Sequence, residues 1–366
     1  MSRAISRSLS VAILAAAVGF APMARACTGI RLIAKDGGVV AARTLEFGFD
    51  LHSEVLVVPA GTALTGSLPG GGSGITYKTR YGFAGANAEG MTAIVDGLNE
   101  KGLYVGLFYF PGYASYADVS KDNAKRAMAP HEYGNWLLGN FATVEGVKAN
   151  FDKVALVPTV VDAIGMPAPV HFVVHDASGK SVVIEPVNKT LKIYDDPLGV
   201  LTNAPTFDWH MTNLRNYVNL TVDNVPPLNL GGITLAQLGQ GSGLRGLPGD
   251  FTPPSRFVRA VAFTQSALPS NTVGEAVLQA FHILNNFDIP YGAVRDVQGG
   301  RMHAESTTWT AASDLKNLRW YFKTYGDQSI HRVDLAKALA QAQGKIRLIP
   351  MGSEQMIIDV STAFTH

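Results

Sequence analysis

From residue 27 onward, apolar and polar residues alternate with period two over many short stretches. That pattern is the signature of strands with one face in a core. Residues 27–34 and 39–47 predict a hairpin closed by Lys35-Asp36-Gly37-Gly38. Residues 54–59 predict a third strand, and 64–74, rich in Gly, Ser and Pro, a loop. Residues 81–86, 92–98 and 103–110 predict further strands, the last two joined through Asn99-Glu100-Lys101-Gly102. Another hairpin is predicted where 171–175 and 181–187 flank Asp176-Ala177-Ser178-Gly179. Helical periodicity marks 131–151, 207–218, 255–267 and, most strongly, 272–286. Residues 307–312 and 318–325 return to strands, and 224–254, rich in Gly, Pro and Leu, is a long connection. Two antiparallel runs of strands with helices between and after them predict an α+β sandwich of layers.

Ahead of this pattern lies a different one. Arg3 and Arg7 precede an apolar run from Leu9 to Ala21 and then Ala24-Arg25-Ala26. This is the layout of a signal peptide with an A-x-A cleavage site, so 1–26 is expected to be removed and 27–366 to be an exported, periplasmic single domain. Removal takes away three arginines and no acidic residue, leaving 27 basic against 29 acidic side chains and turning a net charge of +1 into −2. That balance gives no basic footprint for nucleic acid. No later stretch reaches the ~18 apolar residues of a membrane span. A content of 47% hydrophobic and 16% charged residues is that of a globular protein with a sizeable core.

The cut would fall immediately before Cys27, the only cysteine. A thiol and a free α-amine would then share one residue, a nucleophile with its base built in. The competing readings are a lipid-modified cysteine, an intermolecular disulfide and an inert terminal residue; Arg25 at the penultimate position before the cut disfavours lipidation. Other motifs carry little. Gly241-Ser242-Gly243-Leu244-Arg245-Gly246 is a literal G-x-G-x-x-G, but it neither follows a predicted strand nor opens a predicted helix. His171 and His175 share a strand face without a third ligand at metal-site spacing, so no metal is expected.

A stronger constellation is spread along the chain: Cys27-Thr28-Gly29, Arg43-Thr44-Leu45-Glu46, residues 96–103 leading to Tyr109-Phe110-Pro111-Gly112, residues 201–210, residues 246–253, and Ser255-Arg256-Phe257. Together these resemble the choloylglycine hydrolase family, N-terminal-nucleophile hydrolases of linear amides that include bile salt hydrolases and penicillin V acylases. The resemblance implies a four-layer αββα fold, no cofactor, and a homotetramer in which a loop at about 224–254 reaches a neighbouring subunit. It implies Cys27 as nucleophile, Arg43 beside its thiol, Asn203 in an oxyanion hole and Arg256 as the second arginine. Glu46 falls where the family usually has an aspartate holding the α-amine. Tyr109 falls where many bile salt hydrolases have asparagine and penicillin V acylases often have tyrosine; its backbone N–H is a candidate oxyanion donor.

The chemistry stands beside the resemblance. An α-amine titrates near ~7.7–8.0, which suits a general base. An oxyanion held by an amide and a backbone N–H gains a few kcal/mol. The expected substrate is a small-molecule amide with an apolar acyl part, held by Phe47, by residues 108–113 including Phe108 and Tyr113, and by 56–68. Conjugated bile salts come first, with penicillin V and N-acyl homoserine lactones as alternatives. A non-catalytic periplasmic or lipid-anchored binding protein is the rival of another class.

Overall fold

The computed structural model describes residues 26–298 and 300–361. The segment read as a signal peptide, Ala26 excepted, lies outside the described residues. Fourteen strands build two large sheets. In chain order they begin with β1 (Cys27–Ile33), β2 (Val39–Phe47), β3 (Glu54–Val58), β4 (Phe83–Ala86), β5 (Asp96–Asn99), β6 (Leu103–Tyr109) and β7 (Val170–Asp176). They continue with β8 (Ser181–Val187), β9 (Thr190–Asp195), β10 (Val200–Leu201), β11 (Ser306–Asp314), β12 (Arg319–Thr324), β13 (His331–Asp334) and β14 (Arg347–Pro350). The first sheet runs β10-β1-β2-β11-β12-β13 and the second β9-β8-β7-β6-β5-β4-β3-β14.

Helices cover the outer faces. Two short helices, α1 (Tyr133–Asn140) and α2 (Val144–Lys148), lie on the second sheet, and α3 (Phe207–Asn213) follows β10. The first sheet carries α4 (Pro253–Ser266) and α5 (Val273–Leu284), while α6 (Leu335–Ala342) closes the β3–β4 end. The result is the expected four layers, helix on sheet on sheet on helix. One apolar cluster fills the space between the sheets and under α4 and α5; a second fills the space under α1. α5 shows why its sequence makes a helix there. Thr272 caps its first turn, accepting from the Glu275 N–H at 3.3 Å, and Val273, Ala276, Val277, Ala280, Phe281 and Leu284 recur on the buried face.

The sheets meet through specific residues as well as bulk packing. The Trp320 indole N–H on β12 donates to Asp96 on β5 at 2.8 Å. Phe108 on β6 fits beneath Gly29 on β1, where a Cβ would come within 2.5 Å of its ring. Only glycine allows that approach at residue 29.

The predicted hairpins over 27–47 and 171–187 form as read, with Gly37 at φ 77° in the first turn. Residues 64–74 differ from the expected loop. They belong to an exposed ribbon of Ala63–Ser67 and Ser73–Lys78, with Gly70 and Gly71 at positive φ in its turn. A ribbon outside the main core needs no apolar alternation, so its pattern does not announce it. The single helix expected over 131–151 is two, because the backbone turns extended at Phe141, which ends the first, and Thr143 caps the second. Residues 224–254 contain a small ribbon, Leu228–Leu230 with Ile233–Leu235, whose side chains are exposed.

Candidate active site

Cys27 opens β1 and faces Leu45 across the β1–β2 ladder. Strand alternation then puts Cys27, Gly29, Arg43, Leu45 and Phe47 on one face and Thr28, Thr44 and Glu46 on the other. The first face looks toward the second sheet. There the Arg43 guanidinium donates to Cys27 Sγ at 2.8 Å and to the Leu107 carbonyl at 2.5 Å, and lies 4.2 Å above the Phe108 ring. Arg43 is completely buried. Burying such a charge costs several kcal/mol unless carbonyls, a π face or an anion compensate, and this pocket supplies carbonyls and a π face, with Asp96 and Glu46 adding attraction. Placed there, the cation stabilises negative charge on sulfur.

The other face is served by α4. Pro253 and Pro254 start that helix, so Arg256 lies in its first turn and reaches across the sheet. Its guanidinium donates to the Cys27 carbonyl, to Thr28 Oγ1 at 2.9 Å and to Asn203 Oδ1 at 2.6 Å. Asn203 follows β10 and precedes the cis Ala204–Pro205 bond. Its Oδ1 also accepts from the Cys27 N–H at 2.9 Å, and its Nδ2 donates to the Tyr109 carbonyl at 2.8 Å. Nδ2 carries two hydrogens, and this bond uses one. His210 Nε2–H fixes the Asn203 backbone by donating to its carbonyl at 2.9 Å. Burial pushes the His210 pKa down to about 4.

Glu46 sits at a β-bulge, where the pairing slips from Leu45↔Trp309 to Glu46↔Thr307. Bulges of this kind re-aim a side chain beside an active site. Its Oε1 accepts from Thr307 Oγ1 at 3.2 Å, and its backbone N–H donates to the Ala26 carbonyl at 3.0 Å. Burial pushes its pKa up to about 7, against the pull of Arg256 and Arg43.

Beside this cluster is a cavity of about 110 Å³. Cys27, Glu46, Phe47 and Tyr109 line it, together with apolar residues such as Leu45, Met91, Leu107, Ile164 and Val170. A wider cleft of about 810 Å³ shares Phe47, Leu51 and Glu89 with it. The fold therefore brings Cys27, Arg43, Glu46, Tyr109, Asn203, Arg256 and Phe47 together. Two expected acyl-binding residues are placed elsewhere. Phe108 points between the sheets as the floor under Arg43, because alternation sets it opposite Leu107 and Tyr109. Tyr113 stacks on Phe110 at 5.5 Å and is largely exposed. Residues 56–68 do not line the cavity either; 88–95 and 161–170 do, along with His131. Those segments are distant in sequence, and only the two-layer stacking joins them.

The weaker motifs resolve into structural roles. His171 lies between Glu185 Oε1 at 3.2 Å and the Thr202 carbonyl at 3.1 Å, bracing the segment that carries Asn203. The 241–246 glycine motif is a surface turn whose Gly241 and Ser242 N–H groups donate to Asn224 Oδ1.

Comparison with known proteins agrees with this geometry. Residues 27–346 match the family described as linear amide C–N hydrolases, choloylglycine hydrolase family. A bile salt hydrolase/transferase of Clostridium perfringens is 33% identical over 314 residues, covering 85% of this chain and 93% of that protein. A penicillin V acylase of Pectobacterium atrosepticum is 27% identical over 348 residues, covering 89% and 85%. A crystal structure of a conjugated bile acid hydrolase variant from Clostridium perfringens superposes with a TM-score of 0.80 at 30% identity, covering 92% of this chain and all of that one.

Proposed function

The chain belongs to the choloylglycine hydrolase family and is a hydrolase of linear amide C–N bonds, and from that premise we propose that Cys27, freed as the N-terminal residue, is its nucleophile. One observation carries this reading. Cys27 holds its thiol against Arg43 and its nitrogen against Asn203 at the wall of an apolar cavity.

Once residues 1–26 are removed, the nitrogen bonded to Asn203 is an α-amine with a pKa near ~7.7–8.0. It takes the thiol proton as sulfur attacks the amide carbon. The carbonyl π electrons move to oxygen, and the second hydrogen of Asn203 Nδ2 supports the oxyanion. As the intermediate collapses, the α-ammonium returns the proton to the departing nitrogen and the C–N bond breaks. A thioester and a free amine result. Water, deprotonated by the same amine, then attacks the thioester, releasing the acid and regenerating the thiol. Arg256 keeps Asn203 and the start of β1 in register throughout.

The cavity accepts the apolar acyl group, and the wider cleft beyond Phe47 accepts the polar amine part. Conjugated bile salts are the proposed substrates, in keeping with the names of the bile salt hydrolase/transferase relatives at 33% and 31% identity. Penicillin V is the second reading, favoured by Tyr109 on the cavity wall. We further propose export to the periplasm and a homotetramer assembled through the exposed 224–254 segment.

The test is amine release by protein 27–366 on glycocholate, taurocholate, penicillin V and a long-chain acyl homoserine lactone, with intact mass confirming Cys27 at the terminus. Fastest release from the bile salts is the expected result. Release from none of them by protein with a free Cys27 would overturn the substrate assignment, and full activity of a Cys27→Ser variant would overturn the mechanism.

A further inference from the structure

Asn203 stands in a turn that one buried pair holds at both ends. Before it, the Thr202 carbonyl accepts from His171 Nε2–H at 3.1 Å. After it, the N–H of Phe207, the first residue of α3, donates to Glu185 Oε1 at 2.9 Å. The same Oε1 lies 3.2 Å from His171 Nδ1, and neither side chain has any exposure. His171 on β7 and Glu185 on β8 thus close a ring around residues 202–207. The His171 ring also stacks on Phe110 at 4.2 Å. Phe110 follows Tyr109, whose carbonyl accepts from Asn203 Nδ2.

The partners fix the hydrogens. A carbonyl only accepts, so Nε2 carries one. A second proton lies on the line between Nδ1 and Oε1, and Oε1 keeps a lone pair for the Phe207 N–H. A histidine beside a carboxyl group answers all three positions at once. Burying two such groups is costly where an apolar pair would pack, and filling the core does not require it. We infer that His171 and Glu185 are positioning residues for the oxyanion hole, holding the turn so that the second hydrogen of Asn203 Nδ2 faces the substrate carbonyl. The inference rests on Asn203 being the oxyanion donor. Neither member of the pair lines the cavity or the wider cleft, so both act through Asn203.

Glu185→Gln keeps the shape and breaks the proton count. With the amide oxygen at the Oε1 position, Nδ1 must donate, and a neutral ring then has no hydrogen for Thr202. With the amide nitrogen there, its hydrogens oppose the Phe207 N–H. One end of the turn is released either way.

The experiment is a double-mutant cycle of wild type, Glu185→Gln, Asn203→Ala and both together, on whichever of the four amides wild type cleaves fastest. Glu185→Gln is expected to lower kcat by about 10–100-fold with KM little changed, since a displaced oxyanion donor acts on the transition state. In the Asn203→Ala background it should cost almost nothing, because both changes remove one interaction. A purely structural pair would lower the melting temperature and give equal kcat losses in both backgrounds, or none; either result would overturn the inference. If Glu185→Gln does not fold, the double variant His171→Leu with Glu185→Leu, which removes the pair whole, takes its place in the cycle. If Asn203→Ala leaves kcat unchanged, the oxyanion assignment fails and the inference falls with it. If wild type cleaves none of the amides, the substrate assignment fails by itself, and a crystal structure of Glu185→Gln decides. An Asn203 amide displaced by about 1 Å or more supports the clamp, and an unmoved one refutes it.

Discussion

Two hairpins of this molecule invert each other. In the β1–β2 hairpin, polar and charged side chains are buried: Thr28, Arg43, Thr44 and Glu46 have essentially no exposure. In the ribbon of Leu228–Leu230 and Ile233–Leu235, the apolar side chains Leu228, Leu230, Ile233 and Leu235 are half or more exposed. Each violates the ordinary partition of residues between core and surface. Buried polarity is costly unless every group is answered, and around Cys27 most are answered by Arg43, Asn203 and Arg256. Exposed apolar surface is unanswered within one chain, which is the mark of a surface meant for another molecule. The first inversion is where the chemistry is proposed, and the second is where assembly is proposed.

The contrast is tested most severely by Cys27→Ser. Turnover should fall on the order of 10⁴-fold or more, with the melting temperature nearly unchanged, as read by amide hydrolysis and calorimetry. Retained activity would show that the buried cluster is structural only. Next in size is Arg256→Leu. Removing this cation strips donors from the Cys27 carbonyl, Thr28 and Asn203 together, so a loss of about 3–5 kcal/mol in stability is expected in denaturant titrations.

Glu46→Gln comes third, and its sign can be stated. The folded pKa of Glu46, about 7, lies above its ordinary 4.5. Between those values the folded state holds a proton that the unfolded state has released. The contribution to stability is therefore fully present below about 4.5 and is lost as pH rises to 7, with an amplitude of roughly 3 kcal/mol. The Gln variant should lack this slope when unfolding free energy is measured from pH 4 to 8. The smallest effect on the single chain is expected from replacing Leu230, Ile233 and Leu235 by serine. Each change should alter unfolding free energy by under ~0.5 kcal/mol, while light scattering should show a smaller assembly. An unchanged mass would remove the proposed role of the ribbon.

The sequence made much of the buried region readable and little of its surroundings. Alternation located β1, β2, β6, β7 and β8 because each has a face in a core, and a helical stripe located α5 for the same reason. Short or edge elements such as β10, β13, β14 and α6 have too few buried positions to leave a pattern. Asn203 and Arg256 could be singled out because they sit in long, distinctive segments. The cavity beside them could not, since its walls, 88–95 and 161–170 among them, come together only where the sheets stack. Phe108 differs from its expected place at the acyl site because it belongs to β6, where strand alternation separates it from Tyr109.

The hydrogen bond from Glu46 to the Ala26 carbonyl has a consequence for maturation. It is the last rung of the β1–β2 ladder and lies one residue outside the proposed mature chain. A cut after Ala26 would take the acceptor away from a buried amide and leave a new ammonium at the same strand end. If the proposed cut is made, the uncut chain is a latch fastened by the very peptide that its release destroys. Such a latch opens once, and no later change of conditions can close it.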